Sequence, residues 1–424
     1  MKNKLKNKAN IFYWTLFDFA NTSYSIIIVT FLYAVYFKET IAQGKPIGDF
    51  YWSLGISISM IITGIIAPIL GAIADYSAGK KRFLLFFTLL CIISSASLYF
   101  TKESTIALGL LLFIIANIGF EAGLVFYDAF LPEITEQKNY GRVSGYGFAM
   151  GYLGSLIILA ILFPFIQQNL IKVTFPISAL FFLVFSLPMF LFVHDKKNKK
   201  VDKVNYIKVG LNRVKFTLMH IRNYKNLVYF LLAFFLYIEG VNTVIFFSGN
   251  YAKSTLNFSF QELALFFIIV QTTAILGSVI FGVISDSIGQ KKSIIMSLVI
   301  WIITMLIAYL TSADSGKLID YLIHIFQTDL QSLHRNSFYM VGLLAGAVMG
   351  ATQSTSRSLM SKLTPDDKKT EFFGFYSLFG KSSAVVGPLV FGYISYITAN
   401  QRYGILSILF FFIAGIILLT RVQD

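Results

Sequence analysis

The sequence predicts an all-α membrane protein with 12 transmembrane helices in two pseudo-symmetric six-helix bundles and both termini on the cytoplasmic side. Three observations predict it. Of the 424 residues, 56% are hydrophobic and only 13% charged, where a soluble domain averages about 25% charged. Twelve apolar stretches alternate with breaks rich in charge, Gly or Pro, and an α-helix needs about 20 such residues to cross the hydrocarbon layer. Short polar motifs also recur in the same order in both halves of the chain.

The apolar stretches run over residues 11–37, 51–74, 83–100, 105–128, 143–166, 174–193, 226–248, 260–284, 293–311, 337–356, 371–397 and 403–420. Their lengths suit helices rather than barrel strands. With the N-terminus inside, 26 of the 35 Lys and Arg fall on the inner face and 8 on the outer, with Lys381 alone in a span. The positive-inside rule therefore predicts cytoplasmic termini. The basic start is not read as a cleaved signal, because the first apolar segment is too long and lacks a small-residue cleavage pattern.

The predicted organisation is an N-terminal bundle over 1–195, a cytoplasmic linker over 196–225 and a C-terminal bundle over 226–424. Within the linker, Ile207, Leu211, Val214, Leu218 and Ile221 recur at helical intervals among basic residues, as in an amphipathic helix lying on the inner surface. The outer stretch 316–334 puts Lys317, Asp320, His324, Gln327 and Gln331 on one face, which predicts an interfacial helix rather than a further span.

A net charge of +14 could suggest nucleic acid, but the basic residues lie between apolar segments rather than along a water-facing groove. No nucleic-acid partner is expected. The single cysteine, Cys91, lies inside a span, which excludes an intrachain disulfide and reads as a small core residue. No cofactor or metal is expected. The four histidines fall in loops or at span ends, so no catalytic constellation is visible, and no Walker-type loop points to ATP.

The internal repeat is carried by three matches. "GAIADYSAGKKR" at Gly71 returns as "GVISDSIGQKK" at Gly282; Asp18, Asn21 and Thr22 return as Glu239, Asn242 and Thr243; Gly145 and Gly151 return as Gly374 and Gly380. Glycine, three residues, aspartate, then glycine and a basic cluster resembles the signature loop of the major facilitator superfamily. The first copy has one extra residue between Asp75 and Gly79. Within that superfamily, "DFANTSY" at 18, "FYDAFLPEI" at 126, "GRVSGYGFAMGYLG" at 141, "YIEGVNT" at 237, "QSTSRSL" at 353 and "EFFGFYSLFGKSSAVVGPL" at 371 resemble the vacuole-effluxer family, named for a fungal vacuolar amino-acid exporter and widespread in bacteria. Glu239, where the family pattern more often has aspartate, and the long outer loop 312–336 depart from it.

Asp18, Asn21, Thr22 and Ser25 are spaced to share one helix face. A charge at the bilayer centre costs about 2.5 to 3.5 kcal/mol on insertion scales, so such a face turns toward a bundle interior or a cavity. Glu121, Glu239 and Lys381 obey the same argument. Each could instead be structural, a carboxylate capping a broken helix or an ion pair fixing register. Asp128, nearer a span end, is a weaker candidate. The resemblance implies that spans one, four, seven and ten surround a central cavity. The expected substrate and coupling residues are then Asp18, Asn21, Glu121, Glu239, Asn242, Gln353 and Lys381.

The setting of Glu121, between "ANIGF" and "AGLVF", is poor in hydrogen-bond partners, which suits a proton carrier. Lys381 is about 15 Å into its span and is expected to pair with Asp18, Glu121 or Glu239 when no substrate is bound. The aromatics Trp14, Tyr24, Tyr127 and Tyr237 read as packing. The resemblance also implies that the loops of Gly71, Asp75, Gly79, Lys81, Arg82, Gly282, Asp286, Gly289 and Lys291 latch an inner gate. Asp75 is expected at the start of span eleven near Thr370 and Glu371, and Asp286 near Gly141 and Arg142. Lys80 and Lys292 read as topology determinants.

These observations predict a secondary transporter of small solutes working by alternating access, possible substrates being amino acids and possible coupling ions protons. A passive channel and a non-transporting receptor or scaffold are the alternatives. The expected partners are a small-molecule substrate and the lipid bilayer, with the chain a monomer. Short loops, an uncleaved basic start and no organelle-targeting segment predict a bacterial inner membrane.

Overall fold

The computed structural model describes residues 2–77, 79–195, 205–254, 256–311, 313, 316–398 and 400–423. Inside lipid, every backbone N–H and C=O must be satisfied within its own segment or a closed barrel. The described residues answer with helices and no strand. In chain order these are α1 (Lys2–Tyr24), α2 (Leu32–Tyr36), α3 (Ile47–Ser77), α4 (Lys80–Ser97), α5 (Ile106–Asp128), α6 (Leu131–Ile134), α7 (Tyr140–Gln167) and α8 (Ile171–Phe192). They continue as α9 (Tyr206–Met219), α10 (Lys225–Ser254), α11 (Phe260–Ile288), α12 (Gln290–Thr311), α13 (Lys317–Phe326), α14 (Leu330–Leu363), α15 (Lys369–Thr398) and α16 (Gln401–Thr420).

Eleven segments among the described residues are long and apolar enough to cross a membrane. The expected tenth span, α14, is long enough, but it carries Thr352, Gln353, Ser354, Thr355, Ser356 and Arg357 in succession. Large apolar side chains stand outward along the spans, Ile61, Ile65, Phe86, Ile93 and Leu191 each being more than half exposed. Such a surface is the one lipid covers.

The chain divides into two compact units, residues 1–223 with 360–378 and residues 224–359 with 379–424. The same helix pairs pack within each. In the first unit α1 lies on α7 and α8, α4 on α5 and α8, and α3 on α5; in the second, α10 and α12 both lie on α16. The second-unit counterpart of α3 on α5 is α11 on α14. A Cβ at Gly346 would meet Val270 and Thr273, and one at Gly350 would meet Ala274 and Ser278. Small residues every fourth position let two backbones touch where no hydrophobic driving force separates lipid from side chain.

Three local expectations change. The first span is not one α-helix: Ser25–Thr30 and Phe37–Ile41 are π-helical, and Phe31 between them sits at φ −122°, ψ −81°. The run Ile26 to Thr30 is β-branched throughout and loses side-chain freedom in an α-helix. Ser25 opens the π segment, its hydroxyl donating to the Thr22 carbonyl at 3.2 Å, so the α-helical face of Asp18, Asn21 and Thr22 ends there.

The outer stretch 316–334 is not one interfacial helix. α13 stops at Gln327, which takes a left-handed conformation (φ 47°), and α14 begins at Leu330 with Asp329 accepting the Ser332 N–H at 2.9 Å. That bond and the Ser332 hydroxyl hold the Asp329 carboxyl below the usual range.

Arg357, one of the 26 basic residues assigned above to the inner face, is buried within α14 at 2% exposure.

Candidate functional site

In the first unit, Asp18 and Asn21 are buried on α1, with the Asn21 amide donating to Asp18 Oδ1 at 3.4 Å. Gly151 of α7 leaves room for them: a Cβ there would meet Thr22 and the Asp18 backbone and Cβ. Glu121, buried on α5, lies one turn beyond Asn117, whose amide donates to Ser59 Oγ at 2.7 Å and accepts from Tyr24 at 3.4 Å. Trp14 and Tyr127 stack at 4.6 Å and each donates to the other's backbone carbonyl. Tyr237, in the second unit, bonds Ser356 at 2.7 Å. These aromatics are packing residues, as expected, and Cys91 is a buried core residue against which Gly119 packs.

The second unit places Glu239, fully buried on α10, against α15. Its carboxylate accepts the backbone N–H of Gly387, one residue before Pro388. Proline supplies no N–H and crowds the carbonyl one turn before it, which weakens the helix around it. Glu239 thus bonds the α15 backbone beside a helix-internal proline, and that is where its charge goes rather than to Lys381. A Cβ at Gly387 would meet Glu239 and Thr243. Gly380, which the repeat aligns with Gly151, faces the same helix two turns earlier, where a Cβ would meet Phe234. Asn242, Gln353 and Lys381 are half-buried on α10, α14 and α15.

The two signature loops differ in backbone. Gly289 has φ +96°, whereas Gly79, after the extra residue of the first copy, has φ −124°. Only the second needs glycine. Gly289→Ala is expected to cost about 1 to 3 kcal/mol of stability and Gly79→Ala little, as thermal unfolding of the two purified variants would show.

Asp75 reaches the start of α15, accepting the backbone N–H of Thr370 at 3.0 Å and of Glu371 at 2.8 Å. These are orphan donors at a helix N-terminus, where an anion is favoured. Gly71 permits the approach, since a Cβ would strike the Thr370–Glu371 peptide. Gly282 is buried and its carbonyl accepts the Ser285 hydroxyl at 2.9 Å. Asp286 is half-buried, and Arg82 is exposed.

Lys81 and Lys291 perform the same act in each unit. Lys81 Nζ donates to the Val193 carbonyl at 2.6 Å just past α8, and Lys291 Nζ to Thr420 and Val422 at 2.9 and 2.6 Å at the end of α16. Cations favour helix C-termini. Asp195 accepts the Lys81 N–H at 3.0 Å, and burial pushes its carboxyl above the usual range.

Two buried ion-pair clusters go beyond what the sequence predicts. Lys80, read as a topology determinant, is buried in an ion pair with Glu133 of "FYDAFLPEI" and donates to the Ala129 carbonyl at 3.4 Å. Glu371 has a fully buried carboxylate that accepts from Thr217 of α9 and lies 3.5 Å from Lys368 Nζ and 3.7 Å from Arg213 Nε. The available signal was "EFFGF", a charge opening an otherwise apolar span.

A family described as vacuole effluxer Atg22 like matches residues 51–424. The uncharacterized MFS-type transporter YxiO of Bacillus subtilis (strain 168) is 31% identical over 97% of this chain and 94% of its own length. Autophagy-related protein 22 of Coccidioides immitis is 24% identical over 86% of this chain and 70% of its own. Among solved structures, the proton:xylose symporter XylE superposes with a TM-score of 0.73 at 14% identity, covering 99% of this chain and 97% of that one. The human organic anion transporter MFSD10 does so at 0.74 and 13%, covering 97% and 99%. These likenesses establish the fold.

Proposed function

Because the chain belongs to the vacuole effluxer Atg22-like family and has the major facilitator fold, a fold of membrane transporters and not of enzymes, we propose that it is a secondary transporter of amino acids or related small solutes working by alternating access. The observation that carries the reading is the presence of charged side chains inside lipid-crossing helices of both units: Asp18 and Glu121 in the first, Glu239 and Lys381 in the second. A zwitterion asks for a cation beside its carboxylate and an anion beside its ammonium. Lys381 supplies the first and Asp18 or Glu121 the second, with Asn21, Asn242 and Gln353 as neutral hydrogen-bonding groups. Glu239 shapes α15 rather than touching solute. Glu121 is the proton carrier where transport is coupled. The basic loop bias and the Bacillus relative support a place in a bacterial cytoplasmic membrane with both termini inside.

Proteoliposomes loaded with one amino acid at a time test the reading. Saturable, exchange-accelerated uptake of labelled solute is expected. Asp18→Asn and Lys381→Ala should each lower it about tenfold or more, the worth of one lost charged contact. Glu121→Gln should leave exchange intact while removing accumulation driven by a pH gradient. Unaltered flux in both Asp18→Asn and Lys381→Ala would overturn the site, and non-saturable flux would indicate a channel.

A further inference from the structure

The helix α9 has three longitudinal stripes. Going round it at about 100° per residue, one side carries Gly210, Arg213 and Thr217 and packs on the protein. A Cβ at Gly210 would meet Ile69 and Ile73 of α3, Arg213 donates to the Asp367 carbonyl at 2.9 Å, and Thr217 holds Glu371. The next stripe is Ile207, Leu211 and Leu218, which are 66%, 49% and 52% exposed. The third is Lys208 and Lys215, both exposed, with exposed Arg222 in the turn just past the helix end. No Asp or Glu occurs from 205 to 225.

This order inverts what burial alone would select. The helix buries a glycine, a threonine and an arginine against the protein and leaves its branched apolar residues uncovered. A water-facing helix would gain by the reverse. An apolar stripe flanked by a basic one matches the boundary between acyl chains and acidic headgroups. Its neighbour in the chain, α10, is itself a lipid-crossing helix, so a bilayer surface is within reach of α9.

We propose that α9 is a strap seated on acidic lipid, whose opposite side holds Glu371 and, through the Glu371 N–H on Asp75, the first turn of α15. The surface recognised is an anionic lipid leaflet, with Lys208, Lys215 and Arg222 meeting the headgroups and Ile207, Leu211 and Leu218 entering the acyl boundary. The inference uses the membrane assignment and not the identity of any solute.

Amide hydrogen exchange on the purified full-length protein in nanodiscs tests it without any transport measurement. With phosphatidylglycerol mixed into phosphatidylcholine, amides 206–219 should exchange about tenfold more slowly than in phosphatidylcholine alone, since each basic residue near such a surface contributes several-fold. The triple change Lys208→Glu, Lys215→Glu, Arg222→Glu, confined to exposed side chains, should abolish the difference, and so should high salt on the unaltered protein. Thr217→Val should speed exchange in both lipids by loosening the protein side. Equal exchange of the unaltered protein in both compositions, or a difference surviving charge reversal and salt, would overturn the lipid seat. Unchanged exchange in Thr217→Val would overturn the coupling to Glu371.

Discussion

Glu371→Ala is expected to lower the unfolding free energy of the purified protein by about 3 to 5 kcal/mol, the cost of removing one partner from a buried charge cluster. The Glu371 carboxylate is fully buried, and Lys368, 9% exposed, has no route to water that would let its ammonium rehydrate. With the carboxylate gone, Lys368 loses its buried counter-charge, and the Thr217 hydroxyl at 2.6 Å and the Phe216 ring at 5.7 Å do not replace it. Arg213 suffers less because it is 27% exposed and can turn outward. Glu371→Gln should be intermediate: the amide oxygen still accepts from Thr217, but the lysine charge is unbalanced. Adding Lys368→Met to Glu371→Gln should recover most of the loss, because the cost arises from a stranded charge. Thermal unfolding in detergent of the single and double variants measures this, and a double variant no better than Glu371→Gln alone would contradict the assignment.

Lys80→Met should be nearly as damaging, again about 3 to 5 kcal/mol, although a lysine between two spans ordinarily serves topology and tolerates change. The side chains of Lys80 and Glu133 are 8% and 14% exposed, so deleting the ammonium leaves a buried carboxylate without its counter-charge. The neighbouring lysine cannot substitute, because Lys81 is committed to the Val193 carbonyl. Lys80→Met with Glu133→Gln should be distinctly more stable than Lys80→Met alone. Arg82→Met, at an exposed position two residues away, should be close to neutral. Equal stability of all these variants would return Lys80 to a purely topological role.

The sequence by itself determined that the chain crosses a membrane as helices, since apolar run length and the scarcity of charge are properties of composition that no tertiary contact can reverse. It also determined the two-fold repeat, and the resemblance of the Gly71–Asp75 loop to a signature motif implied the contact of Asp75 with the start of span eleven, where a helix N-terminus favours an anion.

Tertiary structure decided the rest. A helix wheel continues the face of Asp18 through the whole first span, but the backbone turns π-helical from Ser25. The wheel of α9 shows an apolar stripe without saying whether protein or lipid covers it, and Gly210 and Thr217, which look inert in sequence, are the side that packs. Glu239 reads as one more intramembrane acid until the packing brings it to the backbone N–H of Gly387, about 150 residues away in sequence. Lys80 and Lys81 are adjacent and chemically identical, yet one pairs with Glu133 and the other caps α8. The common reason is that the partner of a buried polar group is chosen by which unsatisfied groups the packing brings within hydrogen-bond reach, and residues far apart in the chain supply them.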